Sequence, residues 1–596
     1  MCGIVGYVGS REAQPLLLDS LKRLEYRGYD SSGLAVVGAS LQIFKSEGEI
    51  AVLEGKMPRM QGSIGIAHTR WATQGKPTTV NAHPLADCAG KIAVVHNGII
   101  SNFMELRESM TRDGHTFTSD TDSEVFAHLV ESEYKGDLVQ AVMKAVSRIE
   151  GTYAFAVVAE GRDEIVVTRR ESPLVVGLGD GENFIASDVT ALLKYTNRMV
   201  YLEDAEVVKV TKASVTVFDA SGNVVPKTAQ KIMWNLDDAE KAGYPHFMLK
   251  EIFEQPTAIH DSLLGRIESL DTEPFFQGTP YSRVKIVACG TSYHAGLVGK
   301  YIIEELSKIP TTLQISSEYR YSPVSRENPL IVLITQSGET SDTLAAAREA
   351  RKRGNKTIAI ANVMGSAITR EVDHVIYTRA GPEIGVAATK TFVTQLIALY
   401  ILAMDLGTQN RTLSALAKRS VIGQLRNLPR AVQDVLNKSP EIEELAKKYA
   451  SARDMFFIGR NINYPIAMEG ALKTKEISYI HGEGFPAGEL KHGPLALLTK
   501  DSPVVAIAAK DHTYEKMLAN ISEVSARGSP VIAIGYEGDT DLQKFADDVI
   551  YIREIPPLFS PVPIVVALQL WSYYLAKERG CAIDKPRNIA KTVTVE

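Results

Sequence analysis

The feature that most constrains the fold is an apolar strand pattern that the second half of the chain states twice. Lys285-Ile286-Val287-Ala288-Cys289-Gly290 is echoed by Asp454-Met455-Phe456-Phe457-Ile458-Gly459. Further on, Gly354-Asn355-Lys356-Thr357-Ile358-Ala359-Ile360 is echoed by Gly528-Ser529-Pro530-Val531-Ile532-Ala533-Ile534. The echoes keep the same order and nearly the same offset, which is far too long for a solenoid. Val284–Ala288, Leu330–Thr335 and Thr357–Ala361 are unbroken apolar runs bounded by turns, as strands buried on both faces are. Helical stretches separate them. The pattern predicts two copies of an α/β domain with a doubly wound parallel sheet, at 276–415 and 446–586, with 587–596 as a tail.

The first half has a different texture. Short β-branched runs recur at 33–37, 64–67, 92–95, 153–158, 164–168, 206–210 and 214–218, interrupted by helical patterns at about 102–112, 122–134 and 137–149. Strands in series with a helical insert predict α+β, a sandwich of sheets with helices outside, over 2–218. A turn-rich, polar stretch at 220–245 marks the boundary, and 219–275 reads as a linker that leads into a helix. With 596 residues a large core is available without disulfide or metal support. The net charge of -6 argues against a nucleic-acid binder. No apolar run approaches the ~20 residues that span a bilayer, and 396–404 reads as a short buried helix. The four cysteines, Cys2, Cys88, Cys289 and Cys581, form no C-x-x-C pair, so neither a zinc framework nor disulfides are expected, and no cofactor. No signal sequence precedes Cys2, which suits a cytoplasmic protein.

Several side chains carry chemistry. If Met1 is removed, Cys2 has a thiol and a free α-amine that can act as its base. His68-Thr69-Arg70-Trp71-Ala72-Thr73 ends a predicted strand with a guanidinium suited to a carboxylate. His96-Asn97-Gly98 ends another, where an amide and a Gly N–H can stabilise an oxyanion. Asp122 opens a helix, where it can cap the helix or bind an ammonium group. In the second half, Thr335-Gln336-Ser337-Gly338-Glu339-Thr340 and Cys289-Gly290-Thr291-Ser292 each follow a strand and open a helix, which suits a phosphate. Neither has a Walker lysine, so a nucleoside triphosphate is not expected. Glu469, Lys473 and Glu476 share one helix face, a spacing that a salt-bridged surface helix usually explains better than a site does. His481 and His492 lack metalloprotease spacing.

Taken together, Cys2-Gly3-Ile4-Val5-Gly6, Tyr26-Arg27-Gly28-Tyr29-Asp30-Ser31, His68 to Thr73, His96-Asn97-Gly98 and Thr121-Asp122 resemble the N-terminal-nucleophile glutamine amidotransferases. The resemblance implies hydrolysis of the glutamine side-chain amide. It makes Cys2 the nucleophile and Asn97 and Gly98 the oxyanion site, with Arg70, Trp71, Thr73 and Asp122 around the glutamine. Gln74 departs from a histidine common in that family. The second half resembles paired sugar-isomerase domains, and together the halves imply fructose 6-phosphate and glutamine as substrates, glucosamine 6-phosphate and glutamate as products. Thr335, Gln336, Ser337 and Thr340 then cradle the phosphate with Ser292 nearby, and Glu383 and Val386 contact the sugar. Lys591 forms the Schiff base, Glu476 moves a proton between C1 and C2 with Lys473 assisting, and His492 opens the ring from a neighbouring subunit. Ala388 stands where relatives carry a serine. A homodimer is implied, with no nucleic-acid or membrane partner.

The amidotransferase pattern alone also feeds other synthases, but the chain lacks the acidic pair of a phosphoribosyltransferase and the Ser-Gly-Gly loop of an asparagine synthetase. A non-catalytic sugar-phosphate sensor predicts damaged catalytic positions, whereas Cys2, Glu476 and Lys591 are all present. Because Cys2 needs its own amine as base, intact-mass analysis of active protein should show Met1 removed; active protein that keeps Met1 overturns that role for the amine.

Overall fold

The computed structural model describes residues 2–25, 28, 30–72, 74–232, 241–266, 281–323 and 328–593. The chain divides into two compact units. One comprises residues 1–239 with the short segments 339–341 and 592–596, the other residues 240–338 and 342–591.

The first unit is built on two antiparallel sheets. The eight-stranded sheet runs Gln230–Lys231, Arg198–Tyr201, Val175–Leu178, Asn183–Ala186, Gly3–Val8, Ile64–Arg70, Ser31–Val37, Leu41–Glu47. The seven-stranded sheet runs Val224–Val225, Val215–Phe218, Val207–Thr211, Glu164–Arg170, Gly151–Ala159, Ile92–Ile100, Leu85–Ala86. Ile4, Ala35, Ile66 and Ile185 of one meet Val95, Ala156, Val167 and Val208 of the other in a shared core. Alternation of side chains along each strand leaves the outer faces for helices. Glu124–Glu133 and Leu138–Val146 cover the smaller sheet through Phe126, Leu129, Val142 and Phe155. Ala13–Lys22 lies on the larger sheet, where a Cβ on Gly65 would come within 2.8 Å of Leu17.

The predicted strands and helices of this half are all present, with ends shifted by a few residues. The central strand Gly3–Val8 and the helix Ala13–Lys22 are additional. The sheets also continue past residue 218, since Val224–Val225 pairs with Val215–Phe218 and Gln230–Lys231 with Arg198–Tyr201.

The second unit contains the duplication. Its two five-stranded parallel sheets run Thr311–Ile315, Val284–Ala288, Leu330–Thr335, Thr357–Ala361, His374–Tyr377 and His481–Pro486, Asp454–Gly459, Val504–Ile507, Val531–Tyr536, Asp548–Ile552. Each has the same order, with its second strand at the edge beside the first. The repeat extends to helix packing. A Cβ on Gly299, in helix Gly290–Ser307, would lie 2.8 Å from Leu399 of helix Lys390–Gln409. A Cβ on Gly470, in helix Tyr464–Ser478, would lie 2.9 Å from Leu568 of helix Pro561–Glu578. In each copy a glycine admits a leucine from the helix that closes the domain. Both copies contribute to one hydrophobic core.

Helix Lys390–Gln409 is longer than the sequence pattern suggested. By length and composition it reaches what a bilayer crossing requires, but 94% of its apolar window is buried inside the protein. Leu399→Ala should therefore lower stability by ~2–5 kcal/mol, read as a fall in the melting temperature of the second unit, with the first unit's transition unmoved.

Candidate active sites

Strand register positions the thiol. Gly3 pairs with Thr69 and Ile4 with His68, so Cys2 starts a central strand across from the end of Ile64–Arg70. Cys2 Sγ accepts the Trp71 N–H at 3.3 Å. Burial pushes the thiol pKa up, while the Trp71 N–H and the nearby Arg70 charge pull it down, with a net rise. Asn97 Nδ2 donates to Cys2 O at 3.0 Å, and His68 Nε2 lies 3.0 Å from both Asn97 Oδ1 and His96 O. Both neighbours of that nitrogen are acceptors, so His68 carries its proton on Nε2 and turns the Asn97 amide NH₂ toward Cys2. Gly98 has φ +132, and a Cβ there would lie 2.1 Å from Thr152 O, so only glycine fits beside Asn97.

Around this core, Arg70 is buried and its guanidinium donates to Gln74 O, to Gly75 O at 3.2 Å and to Lys76 O at 3.4 Å. Gln74 meets Arg70 through its backbone carbonyl. Asp122 is buried and accepts Ile100 N–H at 2.8 Å and Ser123 Oγ–H at 3.2 Å. Ser123 Oγ in turn lies 2.7 Å from His96 Nδ1. Thr73, and Tyr26, Arg27 and Tyr29 of the quoted motif, lie outside the described residues.

In the second unit, Thr335 Oγ accepts Gly338 N–H at 3.2 Å and Gln336 O accepts Asn362 N–H at 3.1 Å. Gly338 has φ +68, and a Cβ there would meet Ser366 Oγ at 2.0 Å. The glycine lets the chain turn sharply from strand Leu330–Thr335 toward helix Ser341–Lys352, with Ser337 buried and Thr340 directly before the helix. Ser292 accepts a hydrogen bond from Gln395 Nε2 at 3.0 Å.

Glu469, Lys473 and Glu476 are not a surface ladder. Glu469 and Lys473 are fully buried and Glu476 half-buried. Lys473 Nζ donates to Glu476 Oε2 at 2.5 Å and to Thr291 Oγ at 3.0 Å. Glu469 receives Thr291 Oγ–H at 3.1 Å and pairs with His294 Nδ1 at 2.7 Å. Burial opposes the Lys473 charge, but Glu476 and Glu469 outweigh it and hold its pKa above the ordinary value. The network links helix Gly290–Ser307 of the first copy to Tyr464–Ser478 of the second.

Lys591, near the chain end, is also buried. Its Nζ donates to Glu383 Oε2 and, at 2.8 Å, to Gly385 O. Glu383 further accepts Thr389 N–H at 2.9 Å, Thr391 N–H at 3.1 Å and Thr391 Oγ–H at 2.6 Å. Burial pushes its carboxyl up, but Lys591 and the Thr391 hydroxyl outweigh that and leave it below the usual value. Val386 N–H donates to Asp584 O at 3.2 Å. Lys591 is thus one half of a buried ion pair with Glu383. His492 stands apart from these groups, exposed at the end of the short helix Ala487–His492.

Two residues to which the sequence assigns no role join these sites. His68 lies in the motif that ends strand Ile64–Arg70, and it orients Asn97. Glu251 carried no signal at all. It is buried, and its Oε1 accepts Ile384 N–H at 2.6 Å and Gly385 N–H at 3.1 Å, bracing the loop that holds Lys591. Burial, then the Glu383 charge, pushes its pKa up to about 8. A run of helix with a buried carboxyl gives no periodic cue; the clue is a charged residue on an otherwise apolar face, Met248, Glu251, Ile252.

The fold and these residues define a glutamine amidotransferase joined to tandem sugar-isomerase domains. The glutamine amidotransferase domain profile matches residues 55–232, and the SIS domain profile matches 280–405 and 448–577. Glutamine–fructose-6-phosphate aminotransferase [isomerizing] of Methanosarcina mazei is 50% identical over the whole of both chains, and that of Thermus thermophilus 49%, also over the whole of both. The C-terminal domain of glucosamine-fructose-6-phosphate aminotransferase from Francisella tularensis, a solved structure, is 39% identical with TM-score 0.54, covering 58% of this chain and all of its own. The chain belongs to the family of isomerizing glutamine–fructose-6-phosphate aminotransferases.

Three histidines near Cys2 are buried and neutral. Burial first, then nearby positive groups, drives His68 down to about 3 and His83 well below its ordinary value; for His96 burial lowers it with Asp122 opposing. The unfolded chain therefore binds more protons than the folded one below about pH 6.5. Stability of the first unit should be full above that pH and fall as pH drops toward 3. Acid-unfolding curves should show this loss, and His68→Gln should make the curve shallower; an unchanged curve would contradict a buried neutral His68.

Proposed function

We propose that this chain converts fructose 6-phosphate and glutamine to glucosamine 6-phosphate and glutamate. The observation that carries the reading is the full-length identity to isomerizing aminotransferases, combined with a buried lysine and a buried Lys-Glu network beside the sugar-isomerase sheets. The domain limits proposed are 2–218, 219–275, 276–415, 446–586 and 587–596, with the first extended to take in the strands at 224–231.

In the glutamine site, Cys2 attacks the side-chain amide carbonyl, and the proton it gives up goes to its own amine once Met1 is gone. Asn97 and Gly98 receive the oxyanion. Ammonia leaves, and water then cleaves the thioester to release glutamate. Arg70, Trp71, Thr73 and Asp122 hold the amino-acid end. Because bulk water at pH 7 would protonate ammonia, the reaction requires that it reach the sugar without release into solvent; Trp71, bonded through its backbone to Cys2, suits a gate.

In the sugar site, Thr335, Gln336, Ser337 and Thr340 hold the phosphate, with Ser292 near and Glu383 and Val386 at the sugar. Lys591 forms an imine with the C2 ketone, and water leaves. A neutral amine is required for that attack, and Glu383, its ion-pair partner, is the base within reach of its proton. Ammonia then adds at C2 and Lys591 departs. Glu476, held by Lys473, takes the C1 proton and returns it to C2. An exposed His492 suits a role in a neighbouring subunit, and we propose a homodimer with no nucleic-acid or membrane partner, acting in the cytoplasm.

Incubation with both substrates should yield glucosamine 6-phosphate, and Cys2→Ala should abolish glutamine hydrolysis. Borohydride added with fructose 6-phosphate should trap a sugar adduct on Lys591, located by peptide mass. Lys591→Arg should lose synthase activity, since a guanidinium forms no imine. Lys591→Ala should lose it too, and it also strands Glu383 as a buried unpaired charge, at a cost of ~3–5 kcal/mol. The trap therefore decides the assignment: an adduct on Lys473 or Lys475 overturns it.

A further inference from the structure

The first unit gathers a second cluster of reactive side chains, distinct from the groups around Cys2. Cys88 lies on the turn after strand Leu85–Ala86, and His115 follows helix Phe103–Arg112. His128 and Glu131 stand at i and i+3 on helix Glu124–Glu133, hence on one face. One ligand atom from each of the four lies within 4.8 Å of all the others. Cys88 Sγ is 3.5 Å from His115 Nδ1 and 3.5 Å from His128 Nδ1. Glu131 Oε2 is 2.8 Å from His115 Nδ1 and 3.1 Å from His128 Nδ1.

These separations are those of a coordination shell. With Zn–S near 2.3 Å and Zn–N or Zn–O near 2.0 Å, a tetrahedron has edges of about 3.5 Å from sulfur to nitrogen and about 3.3 Å between the lighter atoms. The two sulfur-to-imidazole edges match as they stand, and the two Glu131-to-imidazole edges need to open by a few tenths of an ångström. Two imidazoles present the same ring nitrogen to one carboxylate oxygen and one thiol, from three separate chain segments. The surroundings suit a thiolate and oriented imidazoles. Thr116 N–H donates to Cys88 Sγ at 3.5 Å. His128 is buried, and its other nitrogen, which lacks a hydrogen-bond partner, stands 3.9 Å from Glu124 Oε1. A carboxylate behind the far nitrogen of a metal-bound imidazole is the usual outer-shell arrangement.

We propose that Cys88, His115, His128 and Glu131 form a structural zinc site. One thiolate and two imidazoles select a borderline-soft ion over magnesium or calcium. Four protein ligands close a tetrahedron and leave no position for substrate, so the ion is structural. It ties the Cys88 turn and the His115 turn to helix Glu124–Glu133. Glu124, at the start of that helix, accepts Thr118 N–H at 2.8 Å and Ser119 N–H at 2.7 Å, and so extends the clamp to the segment that leads into Asp122. Zinc binding displaces the Cys88 thiol proton and any proton shared between the imidazoles and Glu131, which pass to solvent.

The full chain, purified without chelator, should carry one zinc per chain by elemental mass spectrometry. Protein stripped of metal should melt several degrees lower and recover on adding one equivalent of Zn²⁺. Titration with Co²⁺ should give the intense visible bands of a tetrahedral site and a near-ultraviolet thiolate-to-cobalt band. Cys88→Ser should lose the thiolate band and weaken binding at least tenfold, with glutamine hydrolysis retained at low temperature. His115→Ala combined with Cys88→Ser should melt at the same temperature with and without zinc. Protein isolated free of zinc that gives no cobalt bands and no zinc-dependent melting shift overturns the proposal and leaves a His–carboxylate hydrogen-bond network. A thiolate band that survives in Cys88→Ser overturns it too, because the sulfur ligand then lies elsewhere.

Discussion

The buried pairing of Lys591 with Glu383 is the interaction on which the sugar half depends. A chain end frays unless something holds it. Here one ammonium is taken out of water and shared between a carboxylate and the Gly385 carbonyl. Such a pair gains little net stability over an apolar alternative, but it is costly to break from one side. It therefore acts as a registration device: the tail docks with Lys591 in this niche or does not dock. Glu383 is itself oriented by three donors from Thr389 and Thr391, and Glu251 braces the neighbouring backbone. The proposed imine-forming amine is positioned by groups that are already rigid.

The other end of the chain meets the same problem by other means. Cys2 precedes a strand with neighbours on both sides, Ile64–Arg70 and Asn183–Ala186, so the backbone beside the thiol is held by sheet hydrogen bonds. The amide of Asn97 is then aimed by His68, a neutral histidine with no freedom to charge. In the proposed mechanism Asn97 is set by His68 and the loop of Glu383 and Gly385 by Glu251, two buried groups that do not themselves touch substrate.

Much of this was legible in sequence. The doubly wound copies were readable because strands buried on both faces write unbroken apolar runs, and duplication writes them twice. Gly3–Val8 is hard to read as a strand because the same residues carry the nucleophile motif, and Leu41–Glu47 because a half-exposed strand such as Gln42-Ile43-Phe44-Lys45-Ser46 has no clear alternation. Glu469 and Lys473 illustrate a real ambiguity: spacing assigns residues to one helix face but does not say whether that face is wet. Only the partners, Thr291 and His294, from a strand–helix unit far off in sequence, settle it. Glu251 and the Cys88 cluster were illegible for the same reason, since their partners converge from segments that share no local pattern. In the cluster only His128 and Glu131 have helical spacing, and cysteine spacing alone argued against a metal.

The shared core of the duplicated copies has a consequence for how the second unit comes apart. Ile286, Val332 and Leu399 of one copy and Phe457, Leu568 and Trp571 of the other belong to one continuous apolar cluster. A gene duplication ordinarily yields two modules that can be cut apart, shuffled or lost singly. These two have given up that freedom: each copy is part of the other's interior, so cutting between them would expose a core rather than a surface. Loss of either copy would leave the other with an apolar face open to water, whichever one contributes less chemistry.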